Sequence, residues 1–159
     1  MSFPAVRSAL SPTGRSFMLT YLLAAGTANV LWEIAQLPLY TIWKSATKGE
    51  LAFAVVHCTI GDLMILAATL MLALLLVGDA AWPRRGFARV AMAATALGAA
   101  FTIFSEWRNI EVLENWAYAA AMPRLPLLDT GLSPFLQWVL IPPFVLFALR
   151  RLRFRPGPG

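Results

Sequence analysis

Four apolar blocks, each long enough to cross a bilayer as a helix, divide this chain, and its charges gather between them. They lie at about 16–43, 51–77, 85–107 and 132–149. At 1.5 Å per residue, roughly 20 residues cross the hydrocarbon layer. A backbone in lipid must satisfy its own N–H and C=O groups, so such blocks are read as helices. The expected fold is all-α: a single-domain integral membrane four-helix bundle. Hydrophobic residues make up 59% of the 159 and charged residues 13%, against about 25% charged in a soluble domain.

Local signals refine the boundaries. Thr47 and Glu50 fit a capping box at the start of the second span. Ser133-Pro134 suits the N-cap and first turn of the fourth. Pro142-Pro143 removes two backbone donors there, so the carbonyls of Trp138 and Val139 need other partners or the helix kinks. Arg15 and the apolar run after it resemble a leader peptide, but the run continues past Ala28 to Trp43 and reads as a retained first helix. The tail, 155–159, is Pro-Gly rich and reads as disordered. Cys58, the single cysteine, reads as a small hydrophobe. Gly61 and Gly98 read as close-packing positions.

Orientation follows from Lys and Arg. Arg7, Arg15, Arg84, Arg85, Arg89, Arg150, Arg151, Arg153 and Arg155 fall on one side; Lys44, Lys48, Arg108 and Arg124 fall on the other. Nine against four places both termini in the cytoplasm. The net charge of +5 is spent at membrane borders, with no basic stripe for nucleic acid. The expected partner is the lipid bilayer, with a homo-oligomer or a larger membrane complex as further expectations.

The polar residues inside the spans are few and lie to one end. Counting at 1.5 Å per residue, Glu33 is roughly 15 Å from the outer end of the first span, and Asp62 roughly 16 Å down the second. His57, Glu106, Gln36 and Gln137 lie closer to the outer border, and Asn109 just past the third span. Asn29, Glu33, Gln36 and Tyr40 follow helical spacing on one face, as do Thr102, Glu106 and Asn109. His57 and Asp62, five apart, cannot share a narrow face, although Cys58 and Asp62 can. Ionisable groups inside membranes usually face the protein interior and mark function. The expectation is an outward-opening polar pocket with Glu33, His57, Asp62 and Glu106 as acid–base residues. Gln36, Trp107, Asn109, Trp116, Tyr118 and Gln137 would contact a ligand, under a lid formed by the loop 108–131. That loop is expected to carry a short helix or turn at the interface, with Trp116 and Tyr118 as belt residues in the plainer reading. The plainer reading of the whole set is interhelical glue.

Several chemistries fit these residue types, and no cofactor is specified. Glu33, His57 and Glu106 are the candidate metal ligands, without a His-x-x-His or Cys-x-x-Cys spacing to strengthen them. Desolvated carboxyls next to Trp32, Trp107, Trp116 and Trp138 suit acid–base work on a lipid or isoprenoid. An oligomeric transporter and a non-catalytic accessory subunit or assembly factor are the alternatives.

Six motifs carry a resemblance: Trp-Glu-Ile-Ala-Gln-Leu-Pro-Leu-Tyr (32–40), His-Cys-Thr-Ile-Gly-Asp-Leu (57–63), Phe-Ser-Glu-Trp-Arg-Asn (104–109), Trp-Ala-Tyr (116–118), Met-Pro-Arg-Leu-Pro (122–126) and Thr-Gly-Leu-Ser-Pro-Phe-Leu-Gln-Trp (130–138). Over residues 21–143 the chain resembles a group of small four-helix bacterial inner-membrane proteins. The resemblance implies architecture and location, and it carries no activity.

Overall fold

The computed structural model describes residues 4–154, so the tail at 155–159 lies outside the described residues. All regular structure among them is helical. In chain order the helices are α1 (Pro4–Ala9), α2 (Pro12–Gln36), α3 (Ile42–Ser45), α4 (Lys48–Val77), α5 (Phe87–Trp107) and α6 (Leu132–Arg153). Four of them, α2, α4, α5 and α6, are long and apolar enough to cross a membrane.

Helix ends follow local chemistry. Ser11 caps α2, its Oγ accepting from the Gly14 N–H at 3.2 Å, and Pro12 fills the first turn. The helix stops at Gln36 instead of running on to Trp43, because Pro38 cannot donate a helical hydrogen bond. The chain tightens there into a 3-10 turn over Leu37–Leu39 and reaches Trp43 only within α3. Thr47 and Glu50 form the expected capping box on α4. Gly86, at φ 66°, turns the chain into α5 in a conformation that favours glycine.

The fourth span begins at Leu132 as expected but departs from expectation in its cap and at its far end. It extends to Arg153 and continues as helix through Pro142 and Pro143. Its N-cap is Gly131, not Ser133, so the Ser133 side chain is free for another role.

The long helices pack in a ring, α2 on α4, α4 on α5, α5 on α6 and α6 on α2. The described chain ends meet at one end of this ring, where Arg153 Nη1 donates to Ser16 Oγ at 2.9 Å and Nη2 to Thr20 Oγ1 at 2.5 Å. We call this the terminal end and the opposite one the loop end. The apolar core fills the terminal half: Phe17, Tyr21, Leu66, Leu70, Leu74, Val90 and Leu146 are almost wholly buried. Phe17 meets Trp82 and Phe87 edge-on, with ring centroids 5.5 and 6.0 Å apart. Leu19, Leu23, Phe53, Met64, Leu76 and Phe144 face outwards and give the helices an apolar outer surface consistent with a bilayer setting. Gly98 does pack closely: a methyl there would stand 2.2 Å from the Trp138 ring. Gly61 differs, since nothing lies within 4 Å of the place its methyl would occupy.

Candidate functional site

At the loop end the interior turns polar. Asn29, Glu33 and Gln36 on α2, Asp62 on α4, Glu106 on α5 and Gln137 on α6 are all buried. The spacing of the first three gives them one face of α2, and ring packing turns that face inwards. Asp62 lies on the buried stripe Val55, Thr59, Asp62, Leu66, Thr69 of α4.

Gln137 is the hub. Its Nε2 lies 2.9 Å from Asp62 Oδ2, 3.1 Å from Glu33 Oε1 and 3.3 Å from Asn29 Oδ1. Its Oε1 accepts from Gln36 Nε2 at 3.3 Å, and that same Nε2 donates to Glu33 Oε1 at 2.9 Å. Ser133 Oγ donates to Gln36 Oε1 at 2.9 Å and accepts from Trp32 Nε1 at 3.2 Å. The chain of contacts thus ties α2, α4 and α6 together across the ring.

A second group surrounds Glu106. Tyr118 OH donates to Glu106 Oε2, and Tyr40 OH reaches the same oxygen at 3.4 Å. Tyr118 OH also accepts from the Gly131 N–H at 2.8 Å. Burial, reinforced by the Glu106 carboxylate, holds both phenols above their usual range, so each remains a donor at neutral pH. The Trp116 indole N–H is buried near Glu106 without completing a hydrogen bond.

The connection 108–131 supplies these donors and lies over the loop end. Helix α5 first continues as a π-turn through Arg108–Val112. The chain then pairs with the α2–α3 corner as a strap: Thr41 N–H donates to Ala117 C=O and Ala119 N–H to Leu39 C=O, both at 2.9 Å. This pairing sets Tyr40 beside Tyr118, ring centroids 5.5 Å apart. An open depression of about 270 Å³ at this end is lined by Glu106, Trp107, Glu111, Tyr118 and Thr130.

The candidates therefore divide. Glu33, Asp62, Gln36 and Gln137 share one network, and Glu106 with Tyr118 forms a second. His57 joins neither: it is exposed and stacks on Phe53, ring centroids 5.6 Å apart, on the outer face of α4. The five-residue step from His57 to Asp62 turns the helix by about 140°, so an inward Asp62 sends His57 outwards. The metal grouping of Glu33, His57 and Glu106 is dispersed for the same reason, and among the described residues no three His, Cys, Asp or Glu side chains lie close enough to hold a metal. Asn109 bonds locally, donating to Ser105 C=O at 2.8 Å and accepting from Asn115 at 2.8 Å. Trp107 is half exposed. Ser133 and Trp32 enter the network although the sequence assigned them to a cap and to an aromatic wall; nothing in their spacing distinguishes those roles.

No protein-family model matches the chain, and no curated protein or solved structure is similar to it. The fold and site define an all-α protein with four membrane-crossing-type helices and a buried polar layer near one end. The resemblance to small bacterial inner-membrane proteins rests on its sequence motifs alone.

Proposed function

We propose that the chain is a four-helix bundle of the bacterial inner membrane, with both termini cytoplasmic, that binds a small or lipidic ligand at an outward-facing polar layer. Glu33, Asp62 and Glu106 would carry acid–base chemistry on that ligand. Gln36, Gln137, Tyr118, Trp116 and Trp107 would position it. His57, exposed on the outer face of α4, stands outside this proposed site. The nine-to-four distribution of basic residues supports the orientation.

One observation carries the reading. Three carboxyl side chains from three spanning helices are buried in the loop-end half of the interior, and none has a Lys or Arg partner among the described residues, where the single ion pair is Arg124–Asp129. Pure structural glue is served by uncharged amides and hydroxyls, which cost far less to insert. Carboxyls in such a setting bind, exchange or transfer a positive charge or proton.

A second reading has its own support. The hydrogen bonds around Gln137 close on themselves, as in a network that fixes helix packing in an accessory subunit or assembly factor. The two readings separate in one experiment. The protein is purified in mild detergent, and its bound small molecules and lipids are identified by mass spectrometry for wild type, Glu33→Gln and Asp62→Asn. A specific ligand retained by wild type and lost from both variants, at unchanged helix content, supports a binding site. No enriched ligand, together with a stoichiometric partner complex and variants altered only in stability, overturns it in favour of the accessory role.

A further inference from the structure

Within the polar layer, three oxygens converge on one point. Asn29 Oδ1, Glu33 Oε1 and Asp62 Oδ2 all lie within 3.3 Å of Gln137 Nε2. An amide nitrogen carries two protons, so at most two of the three acceptors can receive an unshared hydrogen bond from it. A separate observation lies one turn away. Thr59 is only 7% exposed, yet its hydroxyl has no hydrogen-bond partner. It stands four residues before Leu63, on the same face of α4. Leu63 is the side chain that approaches Gly26 of α2. Thr59 shares the buried stripe of α4 with Asp62, one turn nearer the loop end, with an unpartnered hydroxyl.

We propose that Asn29, Glu33, Thr59 and Asp62 form a site for a small monovalent cation of the sodium class. Gln137 completes it by rotating its amide away from the point of convergence, which the ion takes, and turning Oε1 towards the ion; Gln36 turns its own amide in step, so that its oxygen accepts from Gln137 Nε2. The donor set is all oxygen, the preference of a hard cation. Five protein oxygens fall short of the six to eight that calcium takes, and magnesium prefers one or two carboxylates with several retained waters to a set of protein oxygens. Two carboxylates without a basic partner supply the negative charge. The inference rests on the reading of this layer as a functional centre, and it names what the layer holds.

The test is thermal unfolding of the full chain in detergent, in sodium chloride against choline chloride at equal ionic strength. Wild type should gain about 3 °C or more in Tm, saturably, in sodium alone. Asp62→Asn should abolish the gain. Thr59→Val should move the half-saturating sodium concentration several-fold upwards while leaving Tm in choline nearly unchanged. Broadening of the sodium-23 resonance by wild type, and its weakening by Thr59→Val, gives a readout independent of unfolding. Identical sodium and choline curves, a sodium gain that survives Asp62→Asn, or a gain produced only by calcium or magnesium would overturn the proposal. A protein that retains a specific ligand but ignores sodium loses this inference alone. If Glu33→Gln and Asp62→Asn leave both ligand retention and the sodium response unchanged, the reading of the layer as a site fails with it.

Discussion

Gln137 is the residue on which the polar layer depends. Its amide nitrogen is the common neighbour of Asn29, Glu33 and Asp62, and its oxygen accepts a hydrogen bond from Gln36. Gln137→Ala leaves all of them short of a partner at once. Buried polar groups deprived of partners cost about 1–3 kcal/mol each, and interhelical hydrogen bonds in membranes average about 0.6. The expected loss is therefore about 2 kcal/mol, read as a lower Tm in detergent. His57→Ala, on the exposed outer face, should stay within about 0.5 kcal/mol of wild type by the same measurement. The contrast shows what spacing can and cannot tell. Counting residues shows that His57 and Asp62 occupy different faces; it does not say which face looks inwards. That choice came from ring packing, which set the Val55–Thr59–Asp62–Leu66 stripe against the interior.

At the scale of elements, helix types and approximate spans were legible because apolar blocks and caps are local features. The Thr47–Glu50 capping box is a sequence pattern that formed as written. The end of α2 was misplaced because hydropathy continues past Pro38 while helical hydrogen bonding does not. The strap was legible only as a long connection. Its anchors, Tyr118 on Glu106 and the backbone pairing with Leu39 and Thr41, join residues far apart in sequence. Tyr118→Phe removes the bond to Glu106 and the acceptor for Gly131. Amide hydrogen exchange across 115–131 should then rise about tenfold, with α4 and α5 unchanged. Gly98→Ala tests the α5–α6 contact. The added methyl meets the Trp138 ring, so a loss of about 1–3 kcal/mol is expected in detergent unfolding.

At the scale of the molecule, the interior divides into an apolar terminal half and a polar loop end. If the termini are cytoplasmic, reporter fusions at residue 154 should be active only as cytoplasmic reporters, and fusions at residue 120 only as external ones. Reversed activity would place the polar layer facing the cytoplasm and remove its proposed access from outside. The sequence by itself determined that the chain forms four long apolar helices and that the acidic groups within them lie towards one end. Both follow from composition counted along a helix of fixed rise. Only the tertiary structure decided which carboxyls meet. It turned His57 outwards, drew Ser133 and Trp32 into the network, and laid Tyr118 on Glu106. The physical reason is that a helix's rotation about its own axis, and its choice of neighbours, depend on the packing of all the helices together.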